Sequence, residues 1–438
     1  MATPPTFREA LRFWFKLGFI SFGGPAGQIA IMHTELVEKR KWIGEQRFLH
    51  ALNFCMLLPG PEATQLATYC GWLLHRTWGG IVAGVLFILP SAILLWGLSW
   101  IYAVYGHVSG IAAVFHGLKP AVTAIVAAAV IQIGRRALHR LDHWATAAAA
   151  FAALYFFAAP FPLIVMGAAL VGFFSNRSGV NQTGGAARGA LTDDEIKQGD
   201  SVDLLRPAPP SLAGALRVLG VALLLWWTPV VGLGLWQGWD SALVQEGFFF
   251  SKAAMVTFGG AYAVLPYVGQ QAVEHYGWLT APQMLDGLGL AETTPGPLIM
   301  VVQFIGFQGG WNHPGNLAPL WAGTLGACIT TWTTFVPCFL WIFLGAPYIE
   351  QLRSNRRLAS ILASVTAAVV GVVLNLTVWF GLHVFHPARG VIDWWAVAVA
   401  VVAFVALRRF KVGIIPVVIA SGTLGLLWSL ARDSVIGF

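Results

Sequence analysis

The chain has 438 residues, 57% of them hydrophobic and 10% charged, with a formal net charge of +7 at pH 7. Apolar stretches run nearly end to end, which excludes a soluble globular protein and indicates an all-α, polytopic membrane protein. The positive charge does not imply nucleic acid, because the Lys and Arg residues cluster in short loops between apolar segments, as the positive-inside rule expects. Cys55, Cys70, Cys328 and Cys338 lie in or beside apolar stretches without paired spacing, so neither a disulfide framework nor a metal site is expected. No Walker A pattern is present, which argues against ATP-driven transport, and no cofactor is implied. Arg8, Arg12 and Lys16 interrupt the first apolar segment, and a removable signal peptide is not expected there.

In chain order, residues 7–34 read as two short helices around an unwound joint at Gly23, Gly24 and Pro25. Pro25 suits the first position of the second helix, having a fixed φ and no N–H to leave unpaired. After a charged loop from Glu35 to Arg47, apolar runs at 48–58 and 62–75 flank Pro59-Gly60-Pro61. Full spans are expected at 80–105, with Pro90 as a kink, and at 114–134, and a helical hairpin at 144–174 around Pro160 and Pro162. The division is an N-terminal unit over 1–175, a polar flexible linker over 176–212 and a C-terminal unit over 213–438. The last begins with an apolar span at 213–235 and continues with segments at 248–268, 285–311, 317–346, 358–381, 393–407 and 412–431. About 10 to 14 membrane segments are expected in all.

The two units repeat each other. Sliding the chain by 236 positions (258 minus 22) places Lys16 on Lys252, Phe22-Gly23-Gly24 on Phe258-Gly259-Gly260, Glu38 on Glu274, Trp42 on Trp278 and Pro59-Gly60-Pro61 on Pro295-Gly296-Pro297. From Lys16 to Pro61 there are 12 identities in 46 positions without a gap, concentrated in Gly, Pro, Trp and Lys rather than in interchangeable aliphatics. Loop charges orient the copies. Lys39, Arg40, Lys41 and Arg47 face a stretch, Gln271 to Gln283, without Lys or Arg; conversely the uncharged Tyr105 to His116 corresponds to a loop carrying Arg353, Arg356 and Arg357. Arg135, Arg136 and Arg140 against Gly381 to Arg389, and Arg408, Arg409 and Lys411 against Phe156 to Phe161, give the same reversal. Two inverted-topology repeats are therefore expected, with 213–235 as the extra crossing and broken, re-entrant helices at the signatures.

Unwound backbone in hydrocarbon leaves polar groups unpaired at several kcal/mol each, so it persists only where buried in protein or lining a cavity. The helices that begin at Pro25, at Pro61, after Gly260 and at Pro297 would present free N–H groups and positive dipole ends, which favours an anion. Ser21, Thr64, Thr257, Thr293 and Thr294 are the hydroxyl donors nearby. The competing reading is that the glycines only permit close packing and the prolines only kink helices. Lys16 and Lys252 are placed to neutralise a bound dianion, or else snorkel to the interface. Glu62 and Glu292 hold unequal positions in the two copies; they would carry a coupling proton or balance a lysine, or be static partners of an arginine. Asn53, Gln65, Gln132, Gln303 and Asn375 are polar lining or interhelical bonds, and Trp42 and Trp278 are expected at the membrane interface.

At Phe22-Gly23-Gly24-Pro25, Pro59-Gly60-Pro61, Phe258-Gly259-Gly260 and Pro295-Gly296-Pro297 the chain resembles the chromate ion transporter family, long two-domain type, over essentially its whole length apart from the linker. The second signature has Ala261 where the first has Pro25. The resemblance implies a multi-pass secondary transporter of the bacterial inner membrane that exports chromate using the proton motive force, with sulfate as the related anion. It implies no enzyme activity. A sulfate or other oxyanion carrier that takes chromate as a mimic is the alternative, followed by an anion channel or an intramembrane enzyme; HExxH, GxSxG and clustered His or Asp pairs are absent. Oligomeric state is open, a homodimer included.

Overall fold

The computed structural model describes residues 5–22, 24–175, 211–258, 260–346, 356–386 and 391–436. The expected linker at 176–212 therefore lies almost wholly outside the described residues, as do Gly23, Gly259 and Arg353. Among the described residues the chain forms 16 helices. The first unit contains α1 (Phe7–Ile20), α2 (Gly24–His33), α3 (Glu45–Cys55), α4 (Glu62–Tyr105), α5 (Ser109–Ala137), α6 (Leu141–Phe157) and α7 (Phe161–Ser175). After α8 (Leu212–Gln237) come α9 (Ala242–Met255), α10 (Ala261–Gln270), α11 (Ala281–Thr293), α12 (Val301–Asn312), α13 (Pro319–Gly345), α14 (Arg356–Phe385), α15 (Trp394–Arg408) and α16 (Ile414–Ile436). Six helices, namely α4, α5, α8, α13, α14 and α16, are long and apolar enough to cross a membrane, and the protein is a multi-pass membrane protein.

Local structure repeats with the sequence. α2 and α10 each relax into a π-helical turn, Thr34–Lys39 and Gln271–His275. Each turn is closed by a tryptophan N–H, Trp42 to the Leu36 carbonyl and Trp278 to that of Ala272, both at 2.9 Å. Trp278 is not the interface anchor expected: it is 1% exposed and stacks on Tyr276 at 4.3 Å between ring centroids, because Phe249 and Phe250 of α9 and Gly309 of α12 close over it. α4 is a hairpin. Its regular dihedrals fail at His75 and Arg76 (φ +54°), and the limb before the turn packs antiparallel on the limb after it, with Gly71 against Gly79. α12 and α13 form the same hairpin through Gly306 against Gly326 and Gly310 against Ala322. Small residues let these backbones touch, which is how helices associate when burial from water gives no drive. The limb before His75 and α12, at 1.5 Å per residue, are both too short to cross about 30 Å of hydrocarbon.

The two units are not side-by-side bodies. α5 of the first packs on α15 and α16 of the second, while α14 of the second packs on α6 and α7 of the first. Between the units, the Gly/Pro breaks meet in two pairs, Gly60 with Thr257 and Gly296 with Ser21.

Candidate functional site

α1 stops at Ile20 and α9 at Met255, and both breaks start with the same tight turn: Phe22 N–H donates to the Ile20 carbonyl at 3.0 Å and Phe258 N–H to that of Val256 at 3.1 Å. The breaks then bond across the units. Gly60 N–H donates to the Thr257 carbonyl at 2.7 Å, and its repeat equivalent Gly296 donates to Ser21, the equivalent of Thr257, also at 2.7 Å. Each unit therefore supplies the donor that the other's broken helix lacks. Gly24, Gly60, Gly260 and Gly296 all have positive φ, from +69° to +129°. At Gly60 a side chain would also meet Gln65 Nε2 at 2.8 Å and Cys338 Sγ at 2.9 Å, and at Gly296 it would meet Ser91 Cβ at 2.7 Å. Pro61, Gly260 and Pro297 each precede a helix start that no side chain caps. Uncapped N–H groups with positive dipole ends are thus gathered where polypeptide from both units meets.

Chemically the crossing has two unlike halves. In the neutral half, Ser21 meets Gly296; the Gln28 amide donates to both the Ser21 and Gly296 carbonyls, and Ser91 Oγ lies buried without a partner. The acidic half pairs Thr257 with Gly60, and there Gln65 Nε2 donates to the Pro59 carbonyl at 2.8 Å. Glu62 Oε1 approaches Gly260, 3.9 Å from where a Cβ would stand. Tyr262, in the first turn of α10, donates to Glu292 Oε1 at 2.5 Å. The two acids thus come from non-equivalent positions and converge on one helix start, the beginning of α10.

Some expected residues are placed differently. Lys16 and Lys252 are exposed, on the side of α1 and α9 away from the buried faces that carry Phe13, Trp14 and Leu17, and Phe249, Phe250 and Ala253. They do not enter the crossing: each sits off its helix's packed face. The hydroxyls are mostly engaged. Ser21 donates to Leu17, Thr257 to Ala253, Thr293 to Leu290 and Thr294 to Ala291, which leaves Thr64 Oγ1 as the expected donor without a partner. Of the polar lining, Asn53 and Gln132 are exposed, Asn375 is half-buried and Gln303 is fixed by its bond to the Ala92 carbonyl.

Two further carboxyls are buried that the sequence reading passed over. Glu246 of α9, fully buried, has both oxygens without partners in a slot between Gly309 and Gly326. Asp286 of α11 takes bonds from Tyr102 at 2.8 Å and Lys119 at 3.5 Å. The available signal was the glycine spacing of α12 and α13 for Glu246, and the intramembrane lysine of α5 for Asp286.

The sequence model of the chromate transporter family matches residues 8–173 and 244–426. The chain is 30% identical to a chromate transport protein of Pseudomonas aeruginosa over 433 residues, covering 97% of this chain and 94% of that protein. It is 27% identical to one of Cupriavidus metallidurans over 425 residues, 96% of this chain and 93% of the other. It is also 27% identical to a probable chromate transport protein of Synechococcus elongatus over 387 residues, 86% of each. No solved structure matches the chain. With the family model covering most of its length, this membrane protein belongs to the chromate transporter family and is a transporter rather than an enzyme.

Proposed function

We propose that the protein is a proton-coupled secondary carrier that exports chromate across the bacterial inner membrane, binding the dianion at the crossing of the four breaks. The observation that carries this reading is the reciprocal pair of bonds from Gly60 to Thr257 and from Gly296 to Ser21, which gathers uncapped helix starts from both units. The anion would be held by backbone N–H groups after Phe22-Gly23-Gly24-Pro25, Pro59-Gly60-Pro61, Phe258-Gly259-Gly260 and Pro295-Gly296-Pro297, with Thr64 Oγ1 as an added donor. Ser21, Thr257, Thr293 and Thr294 shape the breaks through their backbone bonds, and Gln28 and Gln65 keep the break carbonyls away from the anion. Lys16 and Lys252, five residues before Ser21 and Thr257, raise the positive potential along the approach rather than touching the ion.

Glu62 and Glu292 are the coupling groups. Both stand at the start of α10, where a proton gained or lost changes the field on an anion nearby. The loop charges support inverted copies, so that rocking of one unit on the other would open the crossing to alternate sides.

The test is uptake of labelled chromate into proteoliposomes with and without an imposed pH gradient, with unlabelled sulfate as competitor. Accumulation that follows the gradient and is inhibited by sulfate is expected. A flux that only dissipates chromate gradients would point to a channel, and a stronger preference for sulfate would make chromate the mimic, since both are tetrahedral dianions served by the same donors.

A further inference from the structure

A cavity of about 400 Å³ lies apart from the crossing, between the start of α5 (His116, Lys119), the start of α11 (Pro282, Leu285), the end of α14 (His383, His386) and the start of α15 (Asp393). It holds three of the chain's 11 histidines, whose imidazole nitrogens can both accept and donate a proton. His116 Nε2 is 3.4 Å from Asp393 Oδ2, and His383 Nδ1 is 2.9 Å from the Trp379 carbonyl, which fixes that nitrogen as the donor and leaves Nε2 to bind a proton.

Lys119 connects this cavity to the interior. Its stem lines the cavity and its Nζ is 3.5 Å from Asp286 Oδ2, the oxygen to which the Tyr102 hydroxyl also donates. Asp286 is 3% exposed, and its other oxygen, Oδ1, is buried with no partner at all. A buried carboxyl oxygen left bare, one residue after the cavity-lining Leu285 and on a carboxyl paired with the cavity-lining Lys119, is a place for a proton or a water. Asp286 and Glu292 share α11, six residues apart, or about 9 Å along the axis.

The groups bonded to Asp286 are Tyr102 from α4 and Lys119 from α5, and the cavity that Lys119 lines also carries His383 of α14, His386 just after it and Asp393 just before α15. α12 carries no ionisable residue of the Asp, Glu, Lys, Arg or His kind, and α16 has only Arg432 and Asp433, in its last turns.

We infer that this cavity is the port of the coupling proton, with His116, His383 and His386 collecting it and Asp286 relaying it along α11 to Glu292. The inference rests on the proton-coupled reading and specifies its route. One proton is taken from water by an imidazole, passes to Asp286 Oδ1, and leaves for Glu292; Lys119 and Tyr102 hold Asp286 in place throughout. No bond other than those to the proton is made or broken.

The experiment uses the full-length protein in proteoliposomes and two readouts: chromate–chromate counterflow without any gradient, and accumulation driven by a pH gradient with a trapped pH dye. Asp286→Asn is expected to keep counterflow while losing driven accumulation and the chromate-linked dye signal. Tyr102→Phe, whose ring stays packed on Phe115 and Phe304, should keep both activities but shift the pH of half-maximal driven transport, as should His383→Gln combined with His386→Gln. If Asp286→Asn accumulates chromate like the unmodified protein, or if all these variants leave the pH profile unmoved, the port is wrong. Loss of counterflow together with accumulation in folded Asp286→Asn would also overturn it, assigning Asp286 to the anion path or to folding. A gradient response missing from the unmodified protein itself would remove proton coupling first and the port with it, a failure told apart because no variant is involved.

Discussion

The neutral and acidic halves of the crossing share one backbone plan and differ in side chains. Where the acidic half has Glu62, the equivalent position 236 residues on is Leu298; where it has Tyr262, the neutral half's equivalent is Ala26; and Glu292 corresponds to Met56. The reciprocal bonds from Gly60 and Gly296 have the same length, and the four positive-φ glycines fall at equivalent places. Duplication thus preserved what only backbone can do, which is to end and restart helices inside the membrane, and let the titratable groups collect on one side. A symmetric site would treat both halves alike in every state. On the proposed reading, an asymmetric one keeps the backbone donors for the anion in both halves and confines the proton-carrying acids to one.

The comparison can be broken most severely by making the halves equal. Leu298→Glu puts a carboxyl at the 3% exposed position that mirrors Glu62. Burying that group without a partner costs several kcal/mol, and the expected outcome is loss of chromate binding by isothermal titration together with a lower unfolding midpoint. Unchanged binding would show that the neutral half does not hold the anion.

Next in size are the glycines. Gly296→Ala and Gly60→Ala each combine a positive φ with a close neighbour, and roughly 2 to 4 kcal/mol of stability is expected to be lost at either one, seen as a drop in the midpoint in detergent. Equal losses are the prediction of a shared backbone plan.

Smaller still, Gln28→Ala removes two bonds to break carbonyls where Gln65→Ala removes one, so Gln28→Ala should be the costlier of the two, by about 1 kcal/mol. Equal midpoints would mean that the amides do not tie the breaks.

The least effect is expected outside the membrane, where the copies also differ. The Lys39 ammonium bonded to Glu35 at 2.8 Å, with Arg40 and Lys16 nearby, holds the Glu35 carboxyl below its ordinary value of 4.5. The equivalent in the second copy is Gln271. A carboxyl lowered on folding stabilises above its unfolded pKa, and that contribution fades as pH falls through the folded value. Glu35→Gln should therefore cost up to ~1 kcal/mol of stability at pH 7, and the difference from the unmodified protein should fade as pH falls below 4.5 and vanish below the folded value. A difference that persists in acid would rule out the ion pair as its source.

Much of this was legible in the sequence because the signals are local. The 236-residue offset, the Gly/Pro breaks, the hairpin that became α6 and α7, and the unmatched span that became α8 all follow from spacing and from the backbone demands of Gly and Pro. What stayed hidden depends on partners distant in the chain. No local pattern says that Gly60 bonds Thr257, or that Glu292 meets Tyr262 rather than its lysine-bearing neighbour helix. The lysines left two readings open, contact with a dianion or snorkelling, for a subtler reason. Repetition made Lys16 and Lys252 look like site residues, yet the helical phase of α1, with Ala10, Phe13, Trp14 and Leu17 inward, already turned Lys16 outward. Trp278 shows the reverse case, an aromatic expected at the interface that α9 and α12 bury.

The paired bonds at Gly60 and Gly296 also bear on ancestry. A chain holding a single unit would carry one N–H and one carbonyl at its breaks that nothing else in that unit satisfies, and it would complete them only against a second, oppositely placed molecule of its own kind. Fusing two units through α8 turns that encounter into an internal one at a high effective concentration, and it frees each half to change its side chains independently of the other.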